Sequence, residues 1–365
     1  MPHSLGSLGS DASFRLKWYQ RIDLFRTNRN RIDRSKTVAF QIVITYPANK
    51  DESRVVHSVL DDIADIRYFS DLKAHERVSA LEKADVILSR SFAEMEITLQ
   101  EVVQLKSARL IQLVYAGADN VPFAAIPENI TVASNVGANA KPIAEHVLAM
   151  VFCLAKSIIP KHLQLVNGNF DQSGFTRELK GAICGIIGMG GNGAAIARLM
   201  KGVGMEVHGI NRSVSSPFPI DFIGAPAEMD AVLKRSDVVV LTVPLTRQTR
   251  NLIGRHELQI MKPDGILINV ARGKVVEQQA LYNHLKNTPL FSAGIDTWWS
   301  EPGDSDGFKL DYPFFDLPNL VGSPHNADDV PGIMTAATKM AAENIRHFLE
   351  GKAIRGKVDK ADYIT

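Results

Sequence analysis

Gly188, Gly190 and Gly193 fall in the spacing G-x-G-x-x-G, inside the run Ile183-Cys184-Gly185-Ile186-Ile187-Gly188-Met189-Gly190-Gly191-Asn192-Gly193. The chemistry available to such a stretch is the binding of a pyrophosphate. The first glycine permits a tight turn, the second lets the backbone approach the phosphates, and the third lets a helix pack close on a strand. The apolar run before Gly188 is strand-like, and the helix-forming stretch from Ala194 to Lys201 follows it. A helix starting there offers unpaired N–H groups and a positive dipole end to an anion.

The next strand is expected over Met205–Ile210, ending at Asn211-Arg212-Ser213. About 20 residues past the glycines, a dinucleotide fold normally carries an acid that bonds the adenosine ribose hydroxyls. Asn211, 18 residues after Gly193, stands there instead. It cannot repel a phosphate, Arg212 can bind one, and Ser213 and Ser215 add hydroxyl donors. The arrangement suits the 2′-phosphate of NADP(H), with NAD(H) as a second possible cofactor.

These groups need a scaffold. The chain has 365 residues, 45% of them hydrophobic and 22% charged, which suits two globular domains. A net charge of +1 gives no electrostatic footprint for nucleic acid, and no apolar run is long enough to span a bilayer. The two cysteines, Cys153 and Cys184, lie in apolar runs and read as buried thiols of a reducing compartment, here the cytoplasm. Residues 1–36 stand apart as an N-terminal extension. Residues 11–36 carry eight basic side chains against three acids, which leaves a mitochondrial presequence open.

Beyond the extension, strands are expected over Val38–Tyr46, Ala84–Ser89, Leu110–Val114 and Ile130–Ser134. Helices are expected over Arg54–Ala64, Glu96–Leu105 and, as one long element, Lys141–Ile158, with Pro160 just past its end. A second unit continues with strands at 238–241, 265–269, 292–295 and 320–322. The alternation predicts parallel α/β sheets. The apolar helix over Gly332–Glu350 follows the last of these strands and is expected to return to the first unit. The domains read as 37–135 plus 326–365, and 136–325.

Six ordered motifs resemble those of the D-isomer-specific 2-hydroxyacid dehydrogenases, over residues 38 to 352. Tyr115-Ala116-Gly117-Ala118-Asp119-Asn120-Val121 is similar to the family's substrate-binding turn. Asn135, Asn139 and Ala144-Glu145 resemble its hinge, and Val243-Pro244-Leu245-Thr246-Arg247-Gln248-Thr249 its segment beside the adenosine. Asn269-Val270-Ala271-Arg272-Gly273 matches N-x-x-R-G, Asp296 with Glu301 matches D-x-x-x-x-E, and Pro324-His325 matches a P-H pair. The resemblance implies a flavodoxin-like substrate domain, a Rossmann coenzyme domain and a cleft between them. It also implies a homodimer that pairs through the region of the long helix, and no metal.

The implied catalytic residues are Arg272, Glu301 and His325. Arg272 follows a strand end and can grip a carboxylate or carbonyl oxygen with its planar fork. His325 can give or take a proton near neutral pH, and Glu301 can orient its ring and raise its pKa. Asp296 would accept from the nicotinamide carboxamide, and N–H groups at Ala116-Gly117 would hold the substrate carboxylate beside Tyr115. Arg90, Phe92, Tyr115 and Trp298 are candidates to meet the 2-substituent. Two departures from the family pattern stand in the turn: Gly191 replaces a polar residue, and Asn192 an apolar one. The expected activity is reduction of a small 2-oxo acid of the glyoxylate or hydroxypyruvate type, preferring NADPH. The alternatives are a phosphoglycerate or D-lactate-type dehydrogenase and, outside enzymes, a dinucleotide-sensing corepressor.

Overall fold

The computed structural model describes residues 40–302 and 307–364. Residues 1–36 and Val38 lie outside the described residues. Two all-parallel sheets carry the chain. The first joins β1 (Phe40–Ile44), β2 (Ala64–Tyr68), β3 (Val86–Ser89), β4 (Leu110–Leu113) and β5 (Thr131–Ala133) in the order β2-β1-β3-β4-β5. The second holds β6 (Ile183–Ile187), β7 (Glu206–Ile210), β8 (Phe222–Gly224), β9 (Val238–Leu241), β10 (Ile266–Asn269), β11 (Ser292–Ile295) and β12 (Leu320–Gly322). Its order is β12-β11-β10-β9-β6-β7-β8.

The central strands β3, β4, β9 and β10 are buried at every residue. Helices cover both faces of each sheet, so these strands need no polar alternation. The strand order of the second sheet reverses between the parallel neighbours β6 and β9, and the glycine turn leaves β6 there. Ligands of open α/β sheets bind at such a point, beyond the carboxyl ends of the strands.

The helix Ile333–Leu349 packs on the first sheet, not the second. Its Ala337, Ala341, Ala342 and Ile345 share a core with Ile42, Ile44 and Val56. The chain then pairs with β5, where Lys357 bridges Ala133 in antiparallel sense.

Several elements differ from the sequence expectation, each for a local reason. The first helix is Lys50–Leu60 rather than Arg54–Ala64, because Asn49 caps it and Glu52 closes the capping box. Ala64 opens β2, an edge strand that buries little and so carries no apolar run. β8, also at an edge, has only three residues, too few to mark a strand in the sequence. The expected helix Glu96–Leu105 contracts to Leu99–Val102, since Thr98 starts it and Glu96 turns back to accept from Ser89, Arg90 and Ser91.

The long helix Lys141–Ile158 is two helices, Ala140–Ala155 and Ile158–Val166. Ser157 breaks them in the left-handed region (φ 50°). Pro160 lies in the first turn of the second helix, where its missing N–H leaves no bond unmade. Cys184 is buried, its thiol pKa pushed up to about 12 by that burial. Cys153 is only half-buried, since it is not among the residues that the helix Ala140–Ala155 buries.

Candidate active site

The turn after β6 is shaped for a pyrophosphate. Gly188 has φ 107°, which side-chain-bearing residues rarely adopt, and a Cβ there would stand 3.0 Å from the Val243 nitrogen. A Cβ on Gly193 would overlap the Gly188 carbonyl oxygen, so the helix Gly191–Gly202 packs directly on its strand. A Cβ on Gly190 would meet nothing nearer than Val136 Cγ1 at 3.9 Å. The open space there lies at the N-terminus of that helix, in a cleft of about 490 Å³. Asn192 lines the cleft as well. Met189, expected among the cofactor contacts, buries its side chain in the core and offers the turn only its backbone.

Asn211 and Arg212 line this cleft, and Ser213 is not among its lining residues. Asn211 Nδ2 donates to Ser213 Oγ (3.0 Å) and to the Ser215 carbonyl (2.9 Å). Arg212 Nη1 donates to Asp362 Oδ2 at 2.7 Å. Val243, Pro244 and Thr249 form one wall, fixed where Thr249 Oγ1 donates to the Pro244 carbonyl (2.6 Å). Val270 and Ala271 form another.

Arg272 follows β10. The Asn269 side chain pins the bend, donating to the Arg272 carbonyl (2.9 Å) and accepting from the Ala271 N–H (3.0 Å). The guanidinium then crosses the cleft. Its Nε donates to Asp119 Oδ2 (3.1 Å) on the turn beyond β4, and its Nη2 lies against Gly117, where any Cβ would strike it. Among the described residues, the N–H groups of Ala116 and Gly117 have no acceptor in the chain. Two such donors beside a guanidinium form an anion nest.

His325 sits just past β12 with φ 51°, held there by its N–H, which donates to the Asp296 carbonyl at 2.8 Å. Left-handed backbone at a non-glycine residue is the kind of strain that functional sites retain. Its Nδ1 donates to Glu301 Oε2 at 2.6 Å, while Trp298 N–H donates to Glu301 Oε1 at 2.8 Å. The Glu301 hydrogen bond raises the pKa of His325, with burial opposing. Burial works against ionisation of Glu301, yet the His325 bond and the Trp298 N–H outweigh it and hold its pKa below the usual range. Arg272 is near enough to lower both. Nδ1 being engaged, Nε2 is the nitrogen left for a reacting oxygen.

A model of the D-isomer specific 2-hydroxyacid dehydrogenase NAD-binding domain matches residues 148–327. A glyoxylate reductase of Thermococcus litoralis is 30% identical over 322 residues, 84% of this chain and 94% of that protein. The chain belongs to the D-isomer-specific 2-hydroxyacid dehydrogenases. A D-3-phosphoglycerate dehydrogenase of Methanocaldococcus jannaschii is 27% identical over 87% of the chain, which spans 59% of that relative's length. The fold matches a solved structure of a putative formate dehydrogenase from Pyrobaculum aerophilum (TM-score 0.75, 24% identity, 89% of this chain and 100% of that one).

Against the family pattern, the structure explains one departure. A Cβ on Gly191 would stand 2.5 Å from Gly137 Cα and 2.9 Å from Gly137 N, so the hinge segment leaves room only for glycine. Phe92 and Trp298 lie elsewhere than expected, and Asp296 is engaged within the chain. Asp296 is buried, and both its oxygens serve the loop bearing His325: Oδ1 accepts from Ser323 Oγ (2.6 Å) and Asn326 N–H (3.2 Å), Oδ2 from Ala327 N–H (3.4 Å). Phe92 belongs to the core of the first sheet. Trp298 is buried too, its Nε1 donating to the Ser323 carbonyl, so it supports the loop from beneath. Sequence reasoning missed Asp119 as the partner of Arg272, and Asp362. Asp362 lies 150 residues from Arg212, with no local signal to mark it.

Proposed function

We propose that this dehydrogenase reduces a small 2-oxo acid of the glyoxylate or hydroxypyruvate type to its D-2-hydroxy acid, preferring NADPH. The observation that carries the reading is the Glu301–His325 pair at 2.6 Å, within electrostatic reach of an arginine seated on a nest of free N–H groups.

The residues divide the work. The N–H groups of Ala116 and Gly117 and the Arg272 guanidinium hold the substrate carboxylate, and Arg272 polarises the carbonyl oxygen. A dinucleotide held at the Gly188–Gly193 turn would supply the hydride for the carbonyl carbon. His325 gives its Nε2 proton to the carbonyl oxygen, and the ring becomes neutral as the hydroxyl forms. Glu301 favours the charged ring before that step and fixes its tautomer throughout. Oxidation runs the same proton back.

Arg90, the cation at the carboxyl edge of β3, is spent on the fully buried Glu52 (3.1 Å). That leaves Arg272 for a single carboxylate and favours a substrate without a second anion. Asn211 and Arg212 support the cofactor preference. We further propose a homodimer. The helix Ile158–Val166 exposes Ile158, Leu163, Leu165 and Val166 in one stretch, a large apolar surface for a monomer.

A panel of 2-oxo acids assayed with each cofactor tests the reading. Glyoxylate or hydroxypyruvate turned over with NADPH at least tenfold better than with NADH is the expected result. A phosphorylated or bulky oxo acid as best substrate would defeat it.

A further inference from the structure

The C-terminal segment 356–363 runs from the first sheet to the adenosine end of the cleft. It is anchored on the substrate side by backbone bonds from Ser134 N–H to the Gly356 carbonyl (2.8 Å) and from Val358 N–H to the Val132 carbonyl (2.9 Å). Lys360 Nζ donates to the Pro127 carbonyl (2.6 Å), and Tyr363 stacks on Phe123 with centroids 4.7 Å apart. At its far end it meets the coenzyme sheet's loops. Arg247 N–H donates to the Asp362 carbonyl (3.1 Å), Arg247 Nη2 to the Ala361 carbonyl (2.7 Å), and Arg212 Nη1 to Asp362 Oδ2 (2.7 Å).

The pair is asymmetric: the Arg212 side chain is 71% exposed and that of Asp362 only 11%. Both line the cleft beside Asn211. A fixed carboxylate therefore stands at the end of β7, where the strand itself offers Asn211 in place of an acid.

We propose that Asp362 is a cofactor-discriminating residue, a carboxylate brought to the ribose end of the cleft by the C-terminal strap. Two consequences follow from its charge. It accepts from ribose hydroxyls, the task an acid at position 211 would perform, and so keeps NADH usable. It also neutralises Arg212 and repels a 2′-phosphate, so it restrains the preference for NADPH that Arg212 creates. A 2′-phosphate must take the guanidinium from Asp362, whereas a 2′-hydroxyl leaves the pair in place. The inference rests on the cofactor reading above, with Arg212 as the phosphate contact.

The test is equilibrium binding without substrate, followed by tryptophan quenching, with NADPH, NADH, adenosine 2′,5′-bisphosphate and 5′-AMP as probes. Asp362→Asn keeps the shape and removes the charge. It should tighten NADPH and the 2′,5′-bisphosphate by about tenfold, the scale of one charge-assisted contact. NADH and 5′-AMP should weaken severalfold. Asp362→Glu, the charge-preserving control, should keep the wild-type order. Arg212→Ala should weaken NADPH about tenfold and spare NADH.

Arg212→Ala affecting both dinucleotides equally would sink the cofactor reading itself. The expected Arg212→Ala result, with Asp362→Asn leaving the NADPH to NADH ratio unchanged, would overturn only the role of Asp362. Equal weakening of all four probes by Asp362→Asn would make the residue a structural latch and overturn the proposal as well.

Discussion

Adding one methyl group at position 117 tests whether the seat of Arg272 governs the chemistry. A Cβ on Gly117 would lie 2.8 Å from Asp119 Oδ1 and 3.1 Å from Arg272 Cζ, and closer still to Nη2. Ordinary contact between such atoms needs about 3.5 Å. The obstructing atoms are the far ends of flexible side chains, so the chain accommodates Gly117→Ala by moving the guanidinium outward by about 1 Å or more. The fold loses little. Catalysis loses more, because a displacement of about 1 Å from the productive geometry costs on the order of 10²-fold. That factor corresponds to about 2.7 kcal/mol of transition-state stabilisation. Steady-state kinetics with glyoxylate should show kcat/KM reduced by about that factor, with NADPH affinity and the thermal midpoint close to wild type. A kcat/KM within twofold of wild type would refute the claim that Arg272 must occupy this position.

The other predictions rest on single features. Glu301→Gln removes the charge that raises the His325 pKa, so the pH at which reduction falls away should move down; a pH–rate profile superimposable on wild type would contradict the pairing. The loss should be greater at neutral than at acid pH, where the histidine is charged in either protein. Gly191→Ala must push Gly137 away and should cost about 1–3 kcal/mol of stability, seen as a lowered unfolding midpoint, while weakening both dinucleotides alike. A protein with unchanged midpoint and affinity would show that the hinge yields freely. Leu163→Asp with Leu165→Asp should convert a dimer to a monomer in sedimentation velocity, and wild type sedimenting as a monomer would remove the dimer proposal.

Much of this fold is legible because its central strands are buried on both faces. β3, β4, β9 and β10 are short apolar runs between helices, and the parallel sheets follow from them. The edges are not legible in the same way. β2 buries Ala64 alone and alternates with exposed residues, and β8 has three residues. The apolar helix Ile158–Val166 is continuous in hydropathy with the one before it, and only the left-handed Ser157 separates them.

Within the site, local spacing marks the glycine turn, although only Gly193 meets its own turn, at the Gly188 carbonyl, while Gly188 abuts Thr242 and Val243 after β9. The need for Gly191 is not local, because Gly137 comes from the hinge. Asp296 is placed correctly in sequence, yet its side chain turns inward to the His325 loop, a choice made by Ser323, Asn326 and Ala327. Asp362 reaches Arg212 in a C-terminal strap that also pairs with β5, a long-range arrangement that no local spacing announces.

The central claim is that His325 supplies the proton, and single-turnover kinetics of His325→Ala tests it most directly. With the enzyme saturated by NADPH, mixing with glyoxylate and following nicotinamide absorbance isolates the chemical step from binding and release. NADPH affinity should equal wild type, and the reduction rate should be lower on the order of 10²–10⁴-fold. The dependence of that rate on pH through the histidine's titration should disappear. A variant that reduces glyoxylate within tenfold of wild type, with the pH dependence intact, would contradict it.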